Sequence, residues 1–120
     1  MKTLPEGLTV CVENVLEPTP DMLLDIVRGV EDTRLRLCLD VGHVNAYSRI
    51  PAKTWLTECG TYLSHLHIHN NDGTWDTHNA LFDGTLPIRE LVDIAMRETE
   101  TTATLELPKC EPSVKWLLEE

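Results

Sequence analysis

The sequence has little positive charge and no long apolar run. Ten lysines and arginines stand against twenty aspartates and glutamates, a net charge of −10 at neutral pH. A surface of that sign repels phosphate backbones, which argues against nucleic acid as a partner, and it draws divalent cations. No stretch approaches the roughly 20 apolar residues of a membrane helix, so no membrane partner is expected. The first ten residues, MKTLPEGLTV, lack the continuous apolar segment of a secretory signal. The four cysteines, Cys11, Cys38, Cys59 and Cys110, lie far apart and form no CxxC pair. The expectation is a cytoplasmic protein with reduced thiols. Linkers, low-complexity segments and close repeats are also missing, so residues 1–120 are expected to form one domain. At 42% hydrophobic residues, a chain of this length can bury a real core without disulfides or a structural metal.

Four segments read as strands: LTVCVEN (8–14), RLRLCLD (34–40), LSHLHIH (63–69) and TATLELP (102–108). A helical pattern follows each one. Leu23, Ile26, Val27 and Val30 recur at i, i+3, i+4 and i+7, with Thr19 and Pro20 as a start signal. Ala52, Trp55, Leu56 and Cys59 repeat that spacing, with Gly60 placed to end the helix. Ile88, Leu91, Val92 and Ala95 do so again. Ser113 is placed to cap a last short helix carrying Val114, Leu117 and Leu118. Strand–helix alternation of this kind predicts an α/β fold with a parallel sheet and right-handed crossovers.

Side chains alternate across a strand. Val10 and Val12 oppose Cys11 and Glu13. Leu35, Leu37 and Leu39 oppose Arg36, Cys38 and Asp40. Leu66 and Ile68 oppose His65, His67 and His69. Ala103 and Leu105 oppose Thr102, Thr104 and Glu106. The aliphatic faces should pack on helices. A flat doubly wound sheet would need apolar residues on the other face too. Polar inward faces fit a barrel lumen instead. Glu13, Asp40, His67 and Glu106 all stand near the C-terminal ends of their strands, the end that carries chemistry in α/β barrels. This parity points to metal binding or catalysis more than to turn residues.

The stretch HLHIHNNDGTWDTH, residues 65–78, holds four of the five histidines. His65 and His69 share the inward parity of His67 and read as hydrogen-bonded core or loop histidines before they read as ligands. Asn70, Asn71 and Asp72 read as turn formers, and Gly84 as a backbone turn. Trp55 and Trp116 read as core, and Cys11 and Cys38 as small inward fillers.

The ordered motifs VEN, LDVGH, HLHIHNNDG with WDTH, FDGTLPI and LEL resemble the xylose-isomerase-like barrels. These include sugar-phosphate isomerases and epimerases, the tagatose epimerase group and endonuclease IV. The resemblance runs from about residue 8 to 108. It implies the (β/α)4 C-terminal half of a TIM barrel, with the first four strands absent. It also implies that Glu13, Asp40, His67 and Glu106 hold one divalent metal. Three carboxylates and an imidazole suit Mn²⁺ first, with Mg²⁺, Zn²⁺ or Co²⁺ as alternatives. Glu13 and Glu106 would be the acid–base pair of an isomerase or epimerase acting on a small sugar or sugar phosphate. His43, Asp76 and His78 match residues that bind substrate or a further zinc. Asn14 and Trp75 are candidate substrate contacts. The alternatives are a multi-zinc phosphodiesterase similar to endonuclease IV and an inactive, metal-binding half barrel. An open half exposes two sheet edges, so a homodimer or a separate N-terminal half is the expected partner.

Overall fold

The computed structural model describes residues 3–98 and 100–119. Strands β1 (Val10–Glu13), β2 (Leu35–Asp40), β3 (Leu63–Ile68) and β4 (Thr102–Leu105) form one sheet in sequential order. Every pairing is parallel. Helix α1 (Asp21–Val30) joins β1 to β2. Helices α2 (Val41–Tyr47) and α3 (Ala52–Cys59) join β2 to β3, α4 (Ile88–Glu98) joins β3 to β4, and α5 (Cys110–Leu118) follows β4. This is the half-barrel arrangement that the alternation of patterns predicts.

The core lies between the aliphatic strand faces and the helices. Leu35, Leu37, Leu39, Leu66 and Ile68 are buried, as are Trp55, Leu56 and Cys59 of α3 and Ile88, Leu91 and Ala95 of α4. The β2–β3 register slips between Leu37, which faces Leu63, and Cys38, which faces His65. The slip passes over Ser64, so Leu63 and Leu66 both reach the core despite their opposite parity.

Two helices, α1 and α5, differ in detail from their sequence patterns. In α1 the buried residues are Leu23, Leu24 and Val27, whereas Ile26 and Val30 are exposed. The helix packs on β2 through a narrow stripe, and only that stripe meets the core. It starts at Asp21, whose N–H donates to Thr19 Oγ1 at 3.4 Å. Helix α3 keeps its expected face, and the Gly60 N–H closes it on the Leu56 carbonyl at a φ of 51°. Helix α5 begins at Cys110, so Ser113 is not its cap. Ser113 is buried within the helix and accepts a hydrogen bond from the Leu81 N–H at 3.0 Å. Val114 and Leu118 of this helix are exposed.

All four cysteines are free. Cys38 is buried on the inner face, and burial together with the Glu13, Asp40 and Glu106 carboxylates pushes its thiol up to about 12. Cys11 is exposed and fills no core space, because β1 is an edge strand. Among the described residues, no helix is long and apolar enough to cross a membrane.

Candidate functional site

The four residues picked out by strand parity converge at one end of the sheet. Glu13 ends β1, Asp40 ends β2, His67 lies in β3, and Glu106 directly follows β4 with its N–H on the Ile68 carbonyl. Neighbouring strands lie about 4.8 Å apart, so a flat sheet would separate the first from the fourth by roughly 14 Å. Here one ligand atom from each of the four residues lies within 4.8 Å of all the others. Glu13 and Glu106 reaching inward from the two edge strands, on a sheet curved as a barrel wall is, bring the four together.

Three carboxylates surround one imidazole nitrogen. His67 Nδ1 is 2.5 Å from Glu13 Oε2, 3.0 Å from Glu106 Oε1 and 4.0 Å from Asp40 Oδ2. Asp40 is fully buried, and its Oδ2 has no hydrogen-bond partner. Burying a carboxylate oxygen without a partner is costly, and a cation among these oxygens removes the cost. The donor set therefore fits a hard divalent ion.

Asp40 is held rigidly. Its carboxylate caps α2 by accepting from the His43 N–H at 2.9 Å, and Oδ1 also accepts from His69 Nε2 at 2.7 Å. Burial alone would raise its carboxyl, but these hydrogen bonds and the two nearby imidazoles hold it below the usual carboxylate range. Asn14 is buried and locks to the Asp40 backbone through both ends of its amide. Its Nδ2 donates to the Asp40 carbonyl at 3.1 Å, and its Oδ1 accepts from the Asp40 N–H at 2.7 Å. The Asn14 side chain thus holds the Asp40 backbone in place.

A second cluster lies beside the first. His43, His69, Asp76 and His78 each bring one ligand atom within 4.8 Å of the others. His43 Nε2 and His78 Nε2 lie 3.2 and 3.3 Å from Asp76 Oδ2, and His69 Nδ1 lies 3.6 Å from Asp76 Oδ1. The rings of His69 and His78 stack in parallel with centroids 3.8 Å apart. His78 adopts a φ of 52°, an uncommon left-handed conformation that turns its ring into this stack. Burial would lower its pKa, but the Glu106 carbonyl and Asp76 raise it above the usual histidine value.

The family resemblance groups His43, Asp76 and His78 but not His69. β3 ends at Ile68, so the period-two rule stops one residue short of His69. His69 lies instead under α2, fully buried against Gly42. A Cβ on Gly42 would lie 2.0 Å from His69 Cε1. The glycine of LDVGH is the available signal, because it marks a close approach to something.

The loop after β3 is pinned by asparagines. Asn70 donates to the carbonyls of Leu81 and Leu86 and accepts from the Leu86 N–H. Asn71 donates to the Gly42 carbonyl and accepts from Asn45. Gly84 packs directly on Asn70, where a Cβ would come within 2.2 Å of Oδ1. The loop that carries Asp76 and His78 is thereby fixed against α2. Trp75 is 72% exposed at the loop tip, with no aromatic partner among the described contacts. His65 bonds to Thr102 Oγ1 at 2.6 Å and Thr104 Oγ1 at 2.8 Å, a bridge between β3 and β4, and its ring meets that of His67 edge-on with centroids 5.3 Å apart. Trp116 is only half-buried, and the Arg89 guanidinium stacks on its ring at 4.1 Å.

Known proteins share both pattern and fold. An uncharacterised protein of Methanocaldococcus jannaschii is 30% identical over 95 residues, 72% of this chain and 32% of that protein. Fructoselysine 3-epimerase of Shigella flexneri is 41% identical over 58 residues, 48% of this chain and 21% of that enzyme. Among solved structures, a D-tagatose 3-epimerase-like protein superposes with a TM-score of 0.75 at 24% identity, over 91% of this chain and 44% of its own. A Thermus thermophilus protein soaked with ZnCl2 does so with a TM-score of 0.76 at 26% identity, over 92% and 43%. The chain thus spans less than half the length of these relatives. The family model for the xylose isomerase-like TIM barrel matches residues 3–120, and the chain belongs to that family.

Proposed function

We propose that this chain carries the metal-binding and acid–base half of an isomerase or epimerase acting on small sugars, sugar phosphates or related hydroxy-ketones. The observation that carries the reading is the convergence of Glu13, Asp40 and Glu106 on His67 Nδ1 around a buried, unpartnered carboxylate oxygen. The epimerase among the relatives supports the reaction class. A divalent ion held by these four residues, Mn²⁺ by the donor set, supplies Lewis-acid polarisation of a substrate carbonyl. Glu13 and Glu106 reach the site from the two outer strands of the sheet. One takes the proton from the carbon beside the carbonyl, and the other returns a proton from its own side of the pocket. Asp40, fixed by Asn14, α2 and His69, would give the ion a third carboxylate in a set position.

The test is deuterium incorporation beside the carbonyl of ketoses and ketose phosphates in D2O, with Mn²⁺ present. Glu13→Gln and Glu106→Gln should each slow exchange by roughly 10²–10⁴-fold, the usual contribution of a general acid or base, while the folded spectrum is retained. Exchange at the unmodified rate in both variants would remove the acid–base assignment.

The second cluster favours one other reading, a multi-zinc phosphodiesterase similar to endonuclease IV. Hydrolysis of a model phosphodiester by zinc-loaded protein, without deuterium exchange, would select it. The net charge of −10 weighs against a nucleic acid substrate. Metal binding with neither activity would mark the chain as a binding half without turnover.

A further inference from the structure

We infer that His69 closes the second cluster into a four-ligand site for a zinc-class ion, held by His43 Nε2, His69 Nδ1, Asp76 and His78 Nε2, with no position left open for substrate. This takes from the proposed function only that the first cluster is the reaction centre.

Hydrogen-bond accounting comes first. Each imidazole in the cluster has one nitrogen facing outward onto an acceptor. His43 Nδ1 lies 2.7 Å from the Asn14 carbonyl, His78 Nδ1 lies 2.6 Å from the Glu106 carbonyl, and His69 Nε2 lies 2.7 Å from Asp40 Oδ1. An acceptor demands a proton on the nitrogen that faces it. In a neutral ring the other nitrogen is then a bare lone pair. All three inner nitrogens, His43 Nε2, His69 Nδ1 and His78 Nε2, point at the Asp76 carboxylate. With all three rings neutral, three lone pairs face a carboxylate and repel it; a proton on His78 Nε2, 3.3 Å from Asp76 Oδ2, relieves one of these contacts, whereas a cation among them relieves all three. Two of the atoms concerned, His69 Nδ1 and Asp76 Oδ1, are buried without any hydrogen-bond partner. The outward bonds are the kind that orient metal-bound histidines and fix their tautomers.

The donor set also sorts the ion. Three imidazoles and one carboxylate suit Zn²⁺ or Co²⁺ in tetrahedral geometry, whereas the three carboxylates of the first cluster suit Mn²⁺ or Mg²⁺. A site with four protein ligands is of the structural kind. It would pin the loop bearing Asp76 and His78 to α2. Asp40 joins the two centres, with Oδ1 on His69 and Oδ2 free toward His67. The second ion would thereby help to orient a ligand of the first.

The experiment uses the full chain, stripped with a chelator and loaded with Co²⁺ in excess Mg²⁺. The Glu13→Gln/Glu106→Gln double variant, with its first cluster dismantled, should retain one Co²⁺ per chain by native mass spectrometry. That ion should show the intense visible absorption of four-coordinate cobalt. Adding His69→Gln should weaken binding by more than the roughly 10–100-fold that loss of an outer partner costs, and should change the absorption. An unchanged spectrum and affinity would overturn the proposal. Because His69 is buried, nitrogen NMR of the Zn²⁺-loaded unmodified chain gives an independent reading. His69 should be metal-bound through Nδ1 and protonated at Nε2, with the opposite pattern in His43 and His78. A His69 whose Nδ1 does not shift on zinc loading would also overturn it. Neither readout depends on turnover, so a chain inactive in deuterium exchange can still pass, and an active chain can still fail.

Discussion

Asp40 is the residue on which most of the site turns. It caps α2, anchors Asn14 through its backbone, bonds to His69 and leaves one oxygen for the first cluster. Its lowered carboxyl pKa makes a stability prediction. A group whose folded pKa lies below its unfolded value of 3.8 contributes stability above that pH, and the contribution disappears as pH falls through the folded pKa. Asp40→Asn keeps a good helix cap but removes the charge. In metal-free protein, urea titrations should find the variant less stable than the unmodified chain at pH 7, and the gap should close on acidification below the ordinary carboxylate pKa. A gap that stays constant with pH would show that the charge is not what stabilises. Gly42 supports a second prediction. Alanine there gains at most about 1 kcal/mol of helix propensity. It also sets a Cβ at 2.0 Å from the His69 ring, and overpacking a tight core costs roughly 1–3 kcal/mol. Packing wins, so Gly42→Ala should lower the denaturation midpoint and weaken Zn²⁺ binding at the second cluster together.

At the scale of elements, what the sequence shows clearly is whatever follows a fixed period. Alternation along β1–β4 separates an aliphatic face from a polar one and brings out Glu13, Asp40, His67 and Glu106 from the order of residues alone. Helix α3 is equally readable, since Ala52, Trp55, Leu56 and Cys59 hold one face and are all buried. Helix α2 is not. VGHVNAY has only scattered apolar residues and a glycine, and its first turn depends on a cap supplied by the last residue of β2. Helix α1 is half-readable, because an outer helix buries a narrower stripe than its i, i+3, i+4 pattern suggests. His69 falls in the gap between two periods. The strand rule places it in the lumen, but the strand has already ended and the chain has turned beneath α2. The Asn70 and Asn71 clamps look like turn formers in sequence, yet both are buried and join segments 11 to 29 residues apart. Turn chemistry is local, and nothing local marks those partners.

For the whole molecule, the open question is what lies beyond β1 and β4. Both are edge strands of a parallel sheet, and their outer backbone groups lack a sheet partner among the described residues. Exposed apolar side chains stand on the first and last elements of the chain: Leu8 before β1, Met22, Ile26 and Val30 on α1, and Val114 and Leu118 on α5. Unpaired edges and exposed apolar side chains favour association. A second (β/α)4 layer would pair both edges at once and close the lumen over the carboxylates, and a two-fold dimer of this chain supplies such a layer. The opposing force is charge, since each copy carries −10. Repulsion between like-charged surfaces is screened over about 10 Å at 0.1 M salt. The isolated chain should therefore sediment as a dimer at micromolar concentration, and its association should tighten as salt rises. Interfaces held by opposite charges behave the other way. A clean monomer at all salt concentrations would mean that the edges are closed by a different layer, and a separately produced four-strand N-terminal half from a relative would then be the partner to add back.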